Sequence, residues 1–483
     1  MPDPFTLLPI ALAAGGGRVD DFEASQLVAA GFTLLQRSAP LVRALAGRRA
    51  AIFLPTSPHF LVALAACEGR GAVLVNPLAA PAEIAHQLAD AQVGAVFTNA
   101  DLAPLLPEDV VRVLLDDAPR SARVLAGGTS RDVDMGSHVG LTVEGLEEAP
   151  ESEEEAAIVY TSAMRGAPLG AVLSHRNLLA NARATRAAAA IGPEDHLLAL
   201  LPFSHLFGLT VTASAPLLAG ARVTTMPRFH PIRALDHLEA DGITEVVGVP
   251  AVFHALVQAL EQRGTRLDGA LRLAICGGAP LPVALQERWA ELTGVELRQG
   301  YGLTEAGPVC LFNRVDLPNV RGSLGHPLPG VRVAIAEPLS HDAAPTGEPA
   351  LVPVGAEGEI LVSGPNVFRG YLSGGDAGLV RDGSWLRTGD RGAMAADGSV
   401  TFRGVLKPMF TRNGFNVYPR EIERAVLELP GVRAATVTAL PEPAREHDIA
   451  LEVEGSVSAA EVERWCETRL AAYKRPSRIT IRS

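Results

Sequence analysis

The chain has 483 residues, 48% of them hydrophobic, and its 42 lysines and arginines stand against 54 aspartates and glutamates, a net charge of −12. That length exceeds one compact core and predicts a multidomain protein, while the acidic balance argues against general nucleic-acid binding. Lysine is nearly absent: only Lys407 and Lys474 occur, so chemistry that needs an ammonium has two candidates.

In chain order, the apolar run from residue 5 to 14 follows Asp3 rather than a basic segment and ends in Gly15-Gly16-Gly17, which argues against a signal peptide. Strand-like runs at 51–54, 72–75, 95–98, 244–249 and 271–275 alternate with helical patterns, the rhythm of an α/β fold whose sheets are covered by helices. Glutamate-dense residues 144–155 predict a solvated loop ahead of a strand at 156–160. The uncharged stretch 197–221 is long enough for a bilayer, but Pro202, Ser204, His205 and Gly208 interrupt it and predict a buried strand followed by a helix. At 251–260, Val252, Phe253, Leu256, Val257 and Leu260 fall on one helical face.

A Pro/Gly-rich stretch, 337–358, precedes a β-rich segment, 359–404. From 408 a small α/β unit is expected, with helices near 421–429 and 459–470 and a strand near 434–440. Its basic and acidic residues balance at eleven each, so the larger part carries the whole charge deficit. The expected division is 1–404 and 405–483. Cys67, Cys276, Cys310 and Cys466 lack metal-ligand spacing and predict buried thiols in a reducing cytoplasm, with no disulfide framework.

Six stretches carry chemistry: "LPFSHLFGL" (201–209), "CGGAPL" (276–281), "QGYGLTEAGP" (299–308), "GEILVSGPNVFRGY" (358–371), "WLRTGD" (385–390) and "NGFNVYPREIE" (413–423). In this order they resemble the adenylate-forming superfamily, and over nearly its full length the chain is similar to acyl-CoA synthetases. The resemblance implies a large N-terminal domain, built of two βα-layered subdomains and a small β-rich one, and a small α/β C-terminal lid. One lid orientation joins a carboxylate to AMP from ATP, and the other admits the thiol of CoA or of a carrier protein's phosphopantetheine. A carboxylate is a poor electrophile, so the site needs charge stabilisation at the α-phosphate, a ribose clamp, an acyl pocket and a thiol route.

By the same resemblance, Glu305 is catalytic and holds magnesium, and Thr304 contacts the α-phosphate. Asp390 takes the ribose hydroxyls, a task suited to an acceptor-only carboxylate. Tyr301 stacks on adenine beside Gly302, while Gly277, Gly278, Ala279 and Gly300 allow close backbone approach to acyl group and nucleotide. His205 stands at the acyl–thiol junction as a catalytic and substrate-binding residue; the alternative is a satisfied histidine in a buried turn. Gly414 and Asn416 line the pantetheine tunnel.

Four departures from the family pattern bear on ATP. Relatives read Thr-Ser-Gly-Thr-Thr-Gly-x-Pro-Lys-Gly, whereas Thr161 and Ser162 are followed by Ala163, Met164, Arg165, Gly166, Ala167, Pro168, Leu169 and Gly170. Hydroxyl donors and the lysine are gone, at an expected cost of several kcal/mol in phosphate contacts. Arg165 compensates in part, a planar fork being no copy of a point ammonium. A Walker-type loop is excluded, since neither lysine precedes Ser or Thr. At the lid junction, Gly404-Val405-Leu406-Lys407 lacks the ribose-contacting arginine, for which Arg403, two residues before Val405 in a strand, would stand on the same side. The hinge, Lys407-Pro408, is stiffened by proline. The family's adenylation lysine follows a Tyr-Lys-x-Pro signal, and "AAYKRPSRITIRS" reaches Ser483 before it.

These losses gather on ATP chemistry, so the leading expectation is acyl transfer between acyl-CoA and a carrier protein, with adenylation weak or lost and ATP, AMP and magnesium of doubtful use. Arg412, Arg420, Lys474, Arg475, Arg478 and Arg482 would meet the CoA phosphate or an acidic carrier, or else are solvated surface groups. The alternatives are an active ATP-dependent acyl- or aryl-CoA ligase and a non-catalytic binding partner. The expected substrate is a small carboxylic acid or its acyl-CoA, with no nucleic acid and no membrane span.

Overall fold

A computed structural model describes residues 6–136, 151–161, 168–339, 349–372, 381–382, 384–406, 409–442 and 445–482. Among these, a nine-stranded sheet runs in the order His326–Pro327, Val309–Phe312, Leu297–Gly302, Leu273–Cys276, Glu245–Gly248, His196–Ala199, Arg222–Thr225, Arg18–Val19 and Phe22–Glu23. From Leu297–Gly302 to Arg18–Val19 every neighbouring pair is parallel. Helices cover both faces, so the central strands are buried throughout and read as apolar runs rather than alternating ones. A second nine-stranded sheet is parallel from Glu155–Thr161 through Ala72–Leu74, Arg49–Ile52 and Val93–Thr98 to Val111–Leu114.

One core joins these sheets through helices Ala24–Arg37, His59–Ala66 and His175–Ala189. The expected strands fall within a few residues of those observed. The helix expected at 251–260 is Pro250–Arg263, closed by Gly264 at φ +65°, and its five apolar positions are buried. The stretch 197–221 gives a strand, His196–Ala199, and then a helix. The latter opens in wide π-type turns, Phe207–Ser214, a form that recurs at functional sites, and continues as Ala215–Leu218. Gly208 is required here, because a Cβ would lie 2.0 Å from the Pro202 carbonyl oxygen. Among the described residues no helix is long and apolar enough to cross a membrane. Of the loop expected at 144–155, residues 144–150 lie outside the described residues, and Glu155 instead opens its strand and pairs with Arg49 at 2.8 Å.

The β-rich segment is a five-stranded sheet centred on Trp385–Met394, which pairs with Glu357–Ser363, Arg381–Asp382 and Val400–Val405. The small C-terminal domain has its own core under the sheet of Val432–Glu442, Glu446–Gly455 and Arg478–Arg482, with Ile422, Val426, Leu451, Val453, Val462 and Cys466 from sheet and helices. A separate core is what allows a domain to move as a unit. All four thiols are buried, which pushes Cys67 up to about 12 and Cys466 up to about 11.

At the foot of the first sheet, Arg272 bridges two carboxylates hidden from water, Asp195 at 2.6 Å and Glu245 at 2.5 Å. Burial pushes Glu245 up to about 8 despite the guanidinium. Removing one partner strands the others in low dielectric. Arg272→Ala is expected to destabilise the large domain by about 3 kcal/mol, the lower end of the usual range since the arginine is partly exposed; denaturant titration measures it, and an unchanged midpoint contradicts it.

Candidate active site

The carboxyl ends of the parallel strands converge on a cavity of about 450 Å³. Leu273–Cys276 runs directly into Gly277-Gly278-Ala279, Leu297–Gly302 delivers Gly300, Tyr301 and Gly302, and Glu155–Thr161 of the second sheet delivers Thr161. Ligands in open α/β sheets lie outside such strand ends. A Cβ on Gly277 would come 2.9 Å from the Phe207 ring, and Gly278 has φ +82°, so neither position accepts an ordinary side chain without displacement. Phe207, Val211, Ile275, Phe312, Leu324 and Leu328 make the inner wall apolar.

His205 faces the cavity from the turn before the π-type helix, and its Nδ1 accepts the Phe207 N–H at 3.2 Å. That bond leaves Nε2 as the protonated nitrogen of a neutral ring. Burial depresses the imidazole to about 4, so it is uncharged near neutrality. His205 is therefore held by its neighbours and also open to a ligand, which joins the two readings of its turn.

Two carboxylates, Glu305 and Asp390, also line the cavity. The Tyr301 hydroxyl donates to Asp390 Oδ2 at 2.6 Å, and the Tyr371 hydroxyl donates to Glu305 Oε1 at 2.7 Å. Desolvation is the main cause that raises both phenols far above their ordinary values, so they remain donors. Glu305 follows Thr304 in the short turn Thr304–Ala306, which Gly307 closes at φ +71°. Its backbone carbonyl accepts the Phe368 N–H at 2.9 Å, which fixes the turn against the β-rich segment. Among the described residues, no ion pair to Glu305 is present and no lysine or arginine lines the cavity.

The small domain supplies the remaining wall. Asn413 and Gly414, at φ +53° and +76°, form the two-residue turn between Phe410–Arg412 and Phe415–Val417, the conformation that Asn-Gly favours in hairpins. The turn presses on the large domain so closely that a Cβ on Gly414 would stand 2.6 Å from Val249 Cγ1. Glu446 Oε2 accepts the Gly414 N–H at 3.0 Å, and Phe415 stacks on Tyr473 at 4.4 Å. Gly414, Phe415, Asn416, His447 and Tyr473 all reach the cavity.

Of the residues singled out in the sequence, Thr161, His205, Gly277, Gly278, Ala279, Gly300, Tyr301, Gly302, Thr304, Glu305, Asp390, Gly414 and Asn416 thus line one cavity. Ser162, Arg165, Lys407 and Pro408 lie outside the described residues. Arg403 does not reach the site: its side chain points to Glu357, 3.4 Å away. The register slips between Arg391 and Gly392, leaving Arg403 in a bulge of Val400–Val405, so Phe402, Gly404 and Val405 face the cavity and the period-two reading fails at that residue. Arg412 is buried against Asp448 and the carbonyls of Tyr473 and Arg475, and Arg475 donates to the carbonyls of Leu470 and Glu467. Lys474 is buried between Glu83 and Glu421. These three cations serve the small domain and its docking, not a surface for phosphate or a carrier helix. Sequence reasoning passed over Phe207, Tyr371 and Tyr473, although the first two stand inside the quoted motifs and Tyr473 opens the Tyr-Lys-x-Pro signal.

Comparison with known proteins agrees with this geometry. A model of AMP-binding enzymes matches residues 41–372. The chain is 33% identical over 444 residues to a feruloyl-CoA synthase from Amycolatopsis sp, covering 90% of this chain and 84% of that protein. It is 28% identical over 471 residues to a long-chain-fatty-acid–CoA ligase of Bacillus subtilis, covering 90% and 82%. Among solved structures, a malonyl-CoA ligase with methylmalonyl-CoA and AMP bound superposes with a TM-score of 0.76 at 30% identity, covering 98% of this chain and 96% of that one. A variant of o-succinylbenzoate CoA synthetase from Bacillus subtilis shares the fold at TM-score 0.80 and 23% identity, covering 99% and 94%. With a matching family model over more than half its length and an acyl-CoA-forming relative over nine-tenths of it, the chain belongs to the AMP-binding, adenylate-forming family as an acyl-CoA synthetase-like protein.

Proposed function

We propose that the protein is an ATP-dependent acid–thiol ligase that converts a neutral, mainly apolar monocarboxylic acid to its CoA thioester through an acyl adenylate. The observation that carries this reading is the convergence in one cavity of an apolar wall, His205, the carboxylates Glu305 and Asp390, and the small-domain turn at Gly414–Asn416. Acyl transfer from a ready-made thioester would call on the wall and the turn but not on the two carboxylates, each held by a buried tyrosine. The relatives are named as CoA synthases and ligases, so they support the ATP-dependent alternative, and the expected ATP-independent transfer finds no support. Free CoA is favoured over a carrier protein on the same ground.

In this reading the acid lies along Phe207, Val211 and Phe312 with its carboxylate toward His205, whose neutral ring orients it without a charge of its own. Asp390 accepts the ribose hydroxyls, and Tyr301 keeps Asp390 aimed while offering its ring to the base. Glu305 and the Thr304 hydroxyl are hard oxygen donors suited to magnesium, which is commonly held by one or two carboxylates together with substrate phosphates. Bound there, magnesium would neutralise charge on the phosphates. After adenylate formation, the turn at Gly414–Asn416 and Tyr473 would guide the sulfur nucleophile to the acyl carbon.

Acid- and magnesium-dependent pyrophosphate release, with thioester formed on adding CoA, is the direct test; thioester made from acyl-CoA donors without ATP would reverse the reading. Glu305→Gln is expected to slow pyrophosphate release by about 100-fold, the scale for losing one group that stabilises transition-state charge.

The cavity also predicts selectivity. A second carboxylate would find no fixed counter-ion among the described lining residues and would lose its hydration. Aromatic and medium-chain monoacids are expected to exceed short dicarboxylic acids in kcat/KM by at least about 100-fold. A Cβ on Gly300 would meet Phe312 Cδ2 at 3.6 Å and the Leu311 carbonyl oxygen at 3.7 Å, both ordinary contacts, so Gly300→Val should shorten the pocket and penalise bulky acids while sparing acetate or propionate. Equal turnover across the panel contradicts the assignment.

The depressed His205 gives a pH signature. Its folded pKa of about 4 lies below that of free imidazole, so the neutral form dominates once the pH exceeds that value. From about pH 5.5 to 8 the kcat/KM profile should carry no inflection that His205→Asn removes, although free imidazole titrates in that window.

A further inference from the structure

Lys474 ends the short turn Ala472–Lys474 and is 4% exposed. Its Nζ lies 2.6 Å from Glu421 Oε1, in the first turn of small-domain helix Pro419–Leu427. It also lies 2.7 Å from Glu83 Oε1, in large-domain helix Pro81–Asp90. Both carboxylate side chains are 10% exposed or less. Burial opposes the ammonium, yet Tyr473, Glu421 and Glu83 outweigh it and hold its pKa above the ordinary lysine value.

The two bonds differ in kind. Lys474–Glu421 lies within the small domain and survives any movement of it, whereas Lys474–Glu83 exists only while the domains are docked. Glu83 is held for the role: its Oε2 accepts the Ala80 N–H at 2.8 Å in a capping arrangement, leaving Oε1 for the lysine. A buried ion pair adds little net stability but strongly penalises arrangements that leave one partner unpaired, so it specifies geometry. The neighbouring residue transmits that geometry to the site. Tyr473 stacks on Phe415, and both line the cavity beside Gly414 and Asn416.

We propose that Lys474 is a positioning residue, an interdomain latch whose bond to Glu83 selects the docked orientation in which Tyr473, Phe415 and the Gly414–Asn416 turn wall the cavity. When the domains part, Glu83 returns to water and Lys474 keeps Glu421, so no charge is stranded in low dielectric and the contact is reversible. Its catalytic consequence rests on the ligase reading above: the latch serves the thiol step, in which the turn takes part.

Glu83→Gln tests this in the full chain, because glutamine keeps the cap and the Lys474–Glu421 pair while removing the interdomain charge. The first readout needs no activity. Hydrogen exchange of amides in 410–418 and 472–475 should quicken by about tenfold, the scale of a modest coupling free energy, with the rest of the large domain unchanged. The same substitution in a Lys474→Gln background should add nothing further, since the partner is gone. The second readout is a rate split: CoA-dependent turnover of preformed acyl adenylate falls about tenfold, while pyrophosphate release stays within about twofold. Unchanged exchange, additive effects of the two substitutions, or equal slowing of both half-reactions overturns the latch. Altered exchange in a chain that releases no pyrophosphate would keep the latch and sink the ligase reading instead.

Discussion

Two phenol–carboxylate hydrogen bonds, Tyr301 to Asp390 and Tyr371 to Glu305, hold a pair of acidic groups in the wall of a largely apolar cavity. No lysine or arginine is among the described residues that line the cavity. Carboxylate oxygens are acceptors that suit ribose hydroxyls, and they are hard ligands that suit a hard metal ion. The rest of the architecture places these groups. Tyr301 comes from the first sheet, Glu305 from the turn that follows it, Asp390 from the β-rich sheet and Tyr371 from the edge of the second sheet. One pair of hydrogen bonds, between residues 89 and 66 positions apart, therefore ties together three sheets.

The room inside the cavity depends on absence of side chains. Gly277, Gly278 and Gly300 open the space into which the wall residues project, and the Phe207 ring closes on Gly277. His205 also lines the cavity, kept neutral by burial, and so can orient a carboxylate without adding a charge of its own. The small domain completes the enclosure with a turn whose Asn-Gly pair is pressed on Val249. The small domain has its own core and meets the large one through contacts that include Lys474–Glu83. Lys474 matters for that reason.

The fate of the cations illustrates how charge is read from a sequence. With two lysines in the chain, Lys474 invited a role at a phosphate, and Arg412 and Arg475 invited a role at CoA or a carrier protein. Instead Arg412 meets Asp448 and backbone carbonyls, Arg475 meets carbonyls, and Lys474 meets carboxylates from both domains. Basic residues have many acceptors to choose from in a folded chain, and linear position does not say which one lies within reach. Arg403 failed for a related reason: alternation along Val400–Val405 breaks at a bulge, which one strand read alone does not reveal.

Much was nevertheless determined locally. The α/β class, the order of strands and helices, the buried strand and helix within 197–221 and the separate C-terminal unit follow from apolar periodicity and from where proline and glycine fall, because these act over a few residues. The six motifs identified the family and about half of the cavity lining, since glycines, aromatic groups and acids at fixed spacing are what backbone approach and polar recognition require, whereas Val211, Ile275, Phe312, Leu324 and Leu328 of the apolar wall lie outside them. Tertiary structure alone decided which tyrosine holds which carboxylate, that Arg403 turns away, that His205 is depressed to about 4, and that Lys474 joins Glu83 to Glu421. Each of these depends on distances between segments far apart in sequence and on the burial that follows from their meeting, and neither quantity exists until the chain has folded.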